Sequence, residues 1–194
     1  MGKKLSSGKP EVPPTIQGAL VRLGMHAPSG STVVVTASAK TKASPADVWR
    51  VWSEIEKWAI WSKPLHSSAR WLEKRSWVVG AQFEQVLNYG FPLGKSVSVE
   101  TVKEVNPNQS VAWWKEAKGV KSCHIWFFEP LQEGGTQITK TEVFVGPALV
   151  LGKLSGAKKR WSELFQQSVN GLIKAVDRAD SNSGAQPTEP VSKN

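Results

Sequence analysis

The chain has 194 residues, 40% of them hydrophobic and 21% charged, which is the composition of one ordinary globular domain with loose ends. Lysines and arginines (25) exceed aspartates and glutamates (16), and the resulting charge of +9 favours anionic partners without showing that one exists. A single cysteine, Cys123, excludes an intrachain disulfide framework and a cysteine-rich metal site, and we expect it to be a small buried hydrophobe.

No apolar run reaches the roughly 20 residues of a membrane-spanning helix, and the N-terminus lacks the apolar segment of a secretory signal. We therefore expect a cytoplasmic protein, with a peripheral position on an anionic membrane surface as an alternative. Residues 1–30 are rich in Pro, Gly, Ser and Lys and predict an extension that is disordered or, at 15–25, weakly helical. Residues 180–194 predict a disordered tail, which leaves a domain of residues 31–179; the oligomeric state stays open.

The first predicted strand starts at Val33 and runs to about residue 42. Ser44 is a good helix N-cap, Pro45 suits the first helical position, and Asp47 completes a capping box. The helix predicted next carries Val48, Trp49, Val51, Trp52 and Ile55, and a second short helix or turn carries Trp58 and Trp61 before Pro64 ends it.

After residue 64 the hydrophobic period becomes two, which is typical of strands. Six strands are predicted, at 70–74, 82–88, 95–105, 110–116, 121–129 and 136–145, and the short turns between them predict antiparallel neighbours. Residues 155–178 then show helical periodicity. The apolar stripe of this helix comprises Trp161, Leu164, Phe165, Ser168, Leu172 and Val176.

A seven-stranded antiparallel sheet with its helices on one face is an α+β fold. The long helix has one apolar stripe, so the sheet must curl around the helix to bury it. Such a wrap leaves a space between helix and sheet, and this space is the predicted pocket.

The segment at 45–61, PADVWRVWSEIEKWAIW, resembles the opening of polyketide cyclase/dehydrase-type members of the START-like, or SRPBCC, superfamily. HIWFFEP at 124–130, GT at 135–136 and TEVFVG at 141–146 follow in the same order, and the resemblance covers about residues 33–178. Glu54 stands where the family often has Asp. The resemblance implies a helix-grip fold with a deep, mostly hydrophobic cavity. Because this superfamily includes lipid carriers, hormone and polyketide binders and cyclases, the resemblance does not fix the activity.

The pair of greatest chemical interest is His124 and Glu142. If the loop at 131–135 joins the last two strands, Pro130 faces Thr136, and counting back places His124 opposite Glu142. A neighbouring carboxylate favours charged histidine, and the pair could transfer a proton, with Glu142 as base or orienting group and His124 as proton carrier. The alternatives are a hydrogen-bonded structural unit or an exposed cross-strand pair, and a slip of one residue would move Glu142 to the other face.

The ten tryptophans indicate either a large core, the interpretation we favour, or an aromatic-lined cavity. Ligand pockets are lined mainly by apolar and aromatic side chains. The candidate lining residues are Trp49, Trp52, Trp113, Trp126, Phe128, Phe144, Trp161, Phe165 and Leu172, of which we expect Trp126, Phe144, Phe165 and Leu172 to be the best placed.

The remaining signals are weak or negative. The run at 158–160, Lys-Lys-Arg, is typical of a solvated helix face, with contact to an anionic headgroup as the alternative. His26, His66 and His124 lack metal-ligand spacing and no Gly-rich loop fits a phosphate or dinucleotide, so we predict neither metal nor cofactor. A nucleic-acid binder needs basic residues interleaved with exposed aromatic residues on one strand face. The strands here place acidic and apolar residues there, so no nucleic-acid partner is expected.

Three functions remain open. The main hypothesis is binding, with transport as an extension, of a small hydrophobic molecule such as a lipid, polyketide or isoprenoid. The second is a cyclase, dehydratase or hydrolase that uses His124 and Glu142. The third is a non-catalytic interaction module that uses the outer sheet face or the tails.

Overall fold

The computed structural model of the chain describes residues 32–90, 94–117, 120–146 and 157–183, together with Gly18 and Val21. Gly18 and Val21 are helical and fall within the helix predicted at 15–25, while the rest of the predicted N-terminal extension lies outside the described residues. Residues 180–183, predicted to open a disordered tail, belong instead to the long helix, which therefore passes the predicted domain end.

The elements follow the predicted order of one strand, two short helices, six strands and a long helix. Their bounds are β1 Thr32–Thr41, α1 Pro45–Trp52, a 3-10 turn Ile55–Lys57, α2 Trp58–Trp61, β2 His66–Trp71, β3 Gln82–Asn88, β4 Lys95–Asn106, β5 Ser110–Ala117, β6 Val120–Pro130, β7 Thr136–Val145 and α3 Ala157–Ser183.

The seven strands form one antiparallel sheet in the order β1-β7-β6-β5-β4-β3-β2. Because neighbouring strands are antiparallel, β3, β5 and β7 end at the edge where β4 and β6 begin. Phe144, near the end of β7, stacks on Trp161, near the start of α3, so the long helix begins at the same edge. We call this edge the helix-start end of the domain.

Helix α1 begins at the predicted capping box. Ser44 Oγ accepts a hydrogen bond from the Asp47 backbone N–H at 3.2 Å and donates one to the Asp47 carboxylate at 2.6 Å. Val48 and Trp52, one turn apart on one face, are buried against the sheet. Trp58 in α2 donates its indole N–H to the Trp52 carbonyl at 2.6 Å and so fixes the turn between the two helices.

The long helix α3 buries its predicted stripe from Trp161 to Val176, and no member of the stripe is more than 8% exposed. It packs on β1, β7, α1 and α2. A Cβ at Gly171 would overlap the Trp61 carbonyl oxygen, which explains why a residue of low helix propensity stands in the middle of this helix. The prediction that the sheet grips this stripe is confirmed.

One predicted strand is wrong. The strand expected at 70–74 lies earlier, at His66–Trp71, and its pairing with β3 shifts between His66 and Ser68. The strand begins with His66, whose side chain points inward. This buried side chain is polar, and its two ring nitrogens form hydrogen bonds with Ser62 and Gln85. Both features disturb the apolar alternation by which a strand is predicted.

A second, smaller cluster lies on the convex face of the sheet and includes Cys123, Ile125 and Val143. Cys123 is 0% exposed, and burial raises the pKa of its thiol to about 12. The thiolate that would act as a nucleophile is therefore scarce at neutral pH, and the prediction of a small buried hydrophobe is confirmed.

Candidate functional site

Strands β6 and β7 pair in the predicted register, with Pro130 opposite Thr136 and His124 opposite Glu142. His124 is 8% exposed and Glu142 7% exposed, and both lie on the concave face that covers α3. The alternative of an exposed cross-strand pair is therefore wrong. The register places both side chains where a molecule held between sheet and helix would meet them.

His124 Nδ1 lies 3.7 Å from Glu142 Oε2, which is too far for a hydrogen bond. Burial, and then the charge of Lys140, hold the pKa of His124 well below its usual range. The expectation that Glu142 favours charged histidine is wrong, because desolvation and nearby cations outweigh the carboxylate. Burial also raises the pKa of Glu142 to about 7, against the opposing effect of Lys115. Near neutral pH the imidazole is therefore neutral and the carboxyl is partly protonated.

Lys140 is not among the site residues predicted from the sequence. It lies on β7 opposite Trp126 and is 0% exposed. Its Nζ donates to Ser168 Oγ at 3.1 Å and lies 4.4 Å from the ring centroid of Phe165 and 5.0 Å from that of Trp126. Burial lowers the pKa of this amine to about 7. The register that places His124 and Glu142 on the inner face also places Lys140 there, and this signal could have found it.

A continuous chain of hydrogen bonds leads from Lys140 across the interior to Glu100 on β4. It passes in order through Ser168, Ser62, His66 and Gln85, with donor–acceptor distances of 3.1, 2.6, 2.7, 3.1 and 3.0 Å. Glu100 also accepts from Ser98 Oγ at 2.7 Å and lies 3.5 Å from Lys115 Nζ. The hydrogen-bond chain joins the long helix, the residue that ends α2 and four strands, β7, β2, β3 and β4, through buried polar groups alone.

The two ends of the chain fix its direction, because an ammonium group only donates and a carboxylate only accepts. Gln85 turns its NH₂ to Glu100, so its oxygen accepts from His66 Nε2–H and leaves Nδ1 to accept from Ser62. His66 is therefore neutral, and burial holds its pKa well below the usual range. Each hydroxyl of the chain donates away from Lys140.

Several predicted lining residues meet the polar groups between β6, β7 and the first half of α3. At the helix-start end, Phe144 and Trp161 stack with ring centroids 4.7 Å apart. One layer further in, Phe165 stacks on His124 at 5.3 Å and also contacts the Lys140 amine. The predicted aromatic residues thus surround the predicted polar pair, and their role as lining residues stays a prediction.

The other half of the interior is filled by aromatic rings around Trp52, and the core interpretation of the tryptophans holds there. Trp52 is 0% exposed. Its ring contacts, at centroid distances of 4.5 to 6.2 Å, are Trp49, Trp58, Trp77, Trp113, Trp126 and Phe128. Leu172 on α3 is also fully buried.

Three of the surface clefts are bounded by described residues and lie near the short helices or at one end of β6. One of about 540 Å³ lies between α2 and α3 beside Trp61 and Lys174, and one of about 310 Å³ adjoins it beside Arg50. A third cleft, of about 480 Å³, lies where β6 ends, away from the helix-start end, and Phe128 borders it. The other candidate lining residues border none of these three clefts, and the predicted pocket between helix and sheet stays a prediction.

Five buried polar atoms have no hydrogen-bond partner among the described residues: the indole nitrogens of Trp52, Trp61, Trp113 and Trp161, and Nε2 of His124. An unpaired buried polar group costs about 1–3 kcal/mol, and such groups are uncommon in folded proteins. Trp113 stacks on His124 at 4.7 Å, so two of the unpaired atoms belong to neighbouring rings of the site. Since an indole nitrogen only donates, the four indole N–H groups lack an acceptor among the described residues.

The basic run at 158–160 is exposed to solvent, as expected for a solvated helix face. Arg160 lies 3.9 Å from Glu163 and donates to the Tyr89 carbonyl at 3.5 Å. Within the part of the chain that the structure describes, no three acidic, histidine or cysteine side chains gather as metal ligands would. No helix in the same part is long and apolar enough to cross a membrane.

A curled seven-stranded antiparallel sheet that grips one long helix defines the helix-grip class of START-like, or SRPBCC, proteins. Residues 32–177 match the model of one family of that class, described as polyketide cyclase/dehydrase and lipid transport. The chain belongs to this family, and the resemblance stated from the sequence is confirmed. None of the curated proteins compared with the chain matches it.

Solved structures share the fold at low sequence identity. A Thermus thermophilus protein is 18% identical with a TM-score of 0.62, over 76% of this chain and 99% of that chain. The Zhui aromatase/cyclase of Streptomyces sp. R1128 is 18% identical with a TM-score of 0.57, over 79% and 97%. A START superfamily protein of Mycobacterium smegmatis is 16% identical with a TM-score of 0.59, over 75% and 98%. These likenesses concern the fold alone.

Proposed function

We propose that the chain binds a small hydrophobic molecule, such as a lipid, polyketide or isoprenoid, between α3 and the concave face at the helix-start end. The observation that carries this proposal is the grouping of three unpaired buried polar atoms, the indole nitrogens of Trp113 and Trp161 and Nε2 of His124, within aromatic walls. Most buried polar groups in folded proteins are paired, and an apolar ligand with a few oxygen atoms would accept hydrogen bonds from the two indole N–H groups.

The energetics favour a largely apolar ligand. Burial of apolar surface contributes about 25 cal/mol per Å² before the costs of association are subtracted. The oxygens of the ligand would orient it through the indole N–H groups, as a few polar groups do in most ligand sites. The lipid transport in the family's description and the aromatase/cyclase named among the similar structures agree with such a ligand.

The test is a titration of the purified chain with N-phenyl-1-naphthylamine, an apolar dye that fluoresces when buried. We expect saturable 1:1 binding. Trp161→Ala should weaken it at least about tenfold, because an aromatic wall contributes more than about 1.5 kcal/mol of burial. Native mass spectrometry of the protein from its own host would then identify the ligand by its mass.

Trp114→Ala is the matched control, since Trp114 is a half-buried tryptophan on the convex face, 4.4 Å from Lys103 Nζ. Its dye affinity should stay within about twofold of the wild type, because the ring lies on the other side of the sheet. Equal weakening by both substitutions, or an absence of saturable binding, would contradict the proposal.

A second candidate function is proton transfer by the His124–Glu142 pair on a bound substrate. The observation in its favour is a buried carboxyl whose pKa is raised to about 7, with an imidazole nitrogen 3.7 Å away. A group of this pKa can give and take a proton near neutral pH. Glu142 would then be the proton donor and acceptor, and neutral His124 would polarise or orient the substrate.

For an enzyme, we expect Glu142→Gln and His124→Ala each to lower turnover of a poly-β-ketone thioester by about 10²–10⁴ while the circular dichroism spectrum is kept. For a carrier, the same substitutions should change the dye affinity by only a few-fold. Glu129→Gln is the control, because Glu129 is exposed on β6, the strand that carries His124. It should change neither the turnover nor the dye affinity. Unchanged turnover in both variants excludes the catalytic role.

A further inference from the structure

The buried amine of Lys140 is unlike an ordinary structural lysine. It is 0% exposed, and none of the described carboxylates forms an ion pair with it. Its only hydrogen bond to a described side chain goes to Ser168, and two aromatic faces complete its surroundings. A lysine desolvated in this way loses its proton readily and becomes a nucleophile.

The hydroxyl chain gives this amine a route for its proton. When Ser168 takes a proton from Lys140, it can pass its own to Ser62, and Ser62 can pass one to Nδ1 of His66, whose low pKa makes it hold the proton only briefly. Ser168, Ser62 and His66 each accept a hydrogen bond from the preceding group of this series, so each can receive a proton from it. The same chain can return a proton in the opposite direction.

We propose that Lys140 condenses with the carbonyl group of an apolar aldehyde or ketone, an inference that rests on the proposed binding of a hydrophobic molecule at this site. The nitrogen lone pair attacks the carbonyl carbon, and the C=O π pair moves to oxygen. In the net reaction R₂C=O and Lys–NH₃⁺ give R₂C=NH⁺–Lys and H₂O. Two of the ammonium protons leave in the water molecule, and the third stays on the imine nitrogen, which carries the charge.

The surroundings set the class of the substrate. Phe165 contacts both the amine and His124, so a molecule that reaches Nζ also meets the aromatic walls of the site. Two lysines, Lys140 and Lys115, share this face with two acidic residues, Glu142 and Glu100, so no excess of cations is present to hold a carboxylate, and an uncharged carbonyl compound is favoured. The unpaired indole donors would hold further oxygens of such a molecule.

Reductive trapping tests the inference. The full chain is incubated at pH 7 with octanal and sodium cyanoborohydride, which reduces an imine to a stable secondary amine, and the modified lysine is located by peptide mass spectrometry. We expect the octyl adduct at Lys140 to exceed that at Lys40, which is 61% exposed, at least about tenfold, because a desolvated lysine is the more nucleophilic at neutral pH. Lys40→Met should leave the Lys140 adduct unchanged, and Lys140→Met should remove it.

A second measurement does not depend on the folding of a variant. Excess N-phenyl-1-naphthylamine should suppress the Lys140 adduct at least about tenfold and leave the Lys40 adduct as it is. Adducts confined to exposed lysines would overturn the inference. Saturable dye binding without a Lys140 adduct overturns this inference and leaves the proposed function standing, whereas loss of both results overturns both.

Discussion

Trp52→Ala is expected to lower the free energy of unfolding by about 4 kcal/mol, within the range measured for large aromatic residues replaced in protein cores. Trp52 is 0% exposed and contacts six other aromatic rings. Its removal loses the transfer free energy of the indole and leaves a cavity that stiff neighbouring rings fill poorly. Urea denaturation followed by circular dichroism at 222 nm measures the loss.

Trp114→Ala provides the comparison, because Trp114 is only half-buried and packs on the convex face. We expect it to cost less than half as much as Trp52→Ala, since less apolar area returns to water and no enclosed cavity forms. Trp52→Phe should recover part of the stability, because a smaller ring refills part of the space. If Trp52→Ala and Trp114→Ala lower the free energy of unfolding equally, the rings around Trp52 do not form a tightly packed core.

The fold could be predicted largely from local signals. The turn at 131–135 and the alternation on both sides of it set the register of β6 and β7, which is the register observed. The capping residues Ser44 and Asp47 likewise determine where α1 begins. The prediction failed at β2, where a polar inward residue and a shift in pairing break the pattern that a strand normally follows.

The candidate site was predictable in position but not in chemistry. Alternation placed His124, Glu142 and Lys140 on one face, but the direction of the pKa shifts of His124 and Glu142 depends mainly on desolvation, which only the closed fold produces. The series of hydrogen bonds through Ser62, Ser168 and Gln85 joins residues far apart in sequence. No periodicity encodes such contacts, because they are made between elements rather than within one.

Lys140→Met is expected to raise the free energy of unfolding at pH 6 by several kcal/mol. The unfolded chain holds a lysine proton up to about pH 10.4, whereas in the folded state burial lowers the pKa of Lys140 to about 7. Between these two values the folded state binds fewer protons, so wild-type stability rises with pH across this window, and the full cost of about 5 kcal/mol applies below pH 7. Methionine has nearly the same length and shape and carries no charge to desolvate, so it avoids this cost.

The gain should therefore shrink as the pH rises and be near zero or slightly negative at pH 10, where methionine lacks only the hydrogen bond to Ser168, worth about 1 kcal/mol. Urea denaturation of both proteins at pH 6 and pH 10 measures the difference. Lys40→Met, at an exposed position, should change stability by less than about 0.5 kcal/mol at either pH. A gain in the free energy of unfolding that is the same at pH 6 and pH 10 would show that the pKa of Lys140 is not lowered in the folded state. A decrease in this free energy at pH 6 would show that the charged amine stabilises the fold.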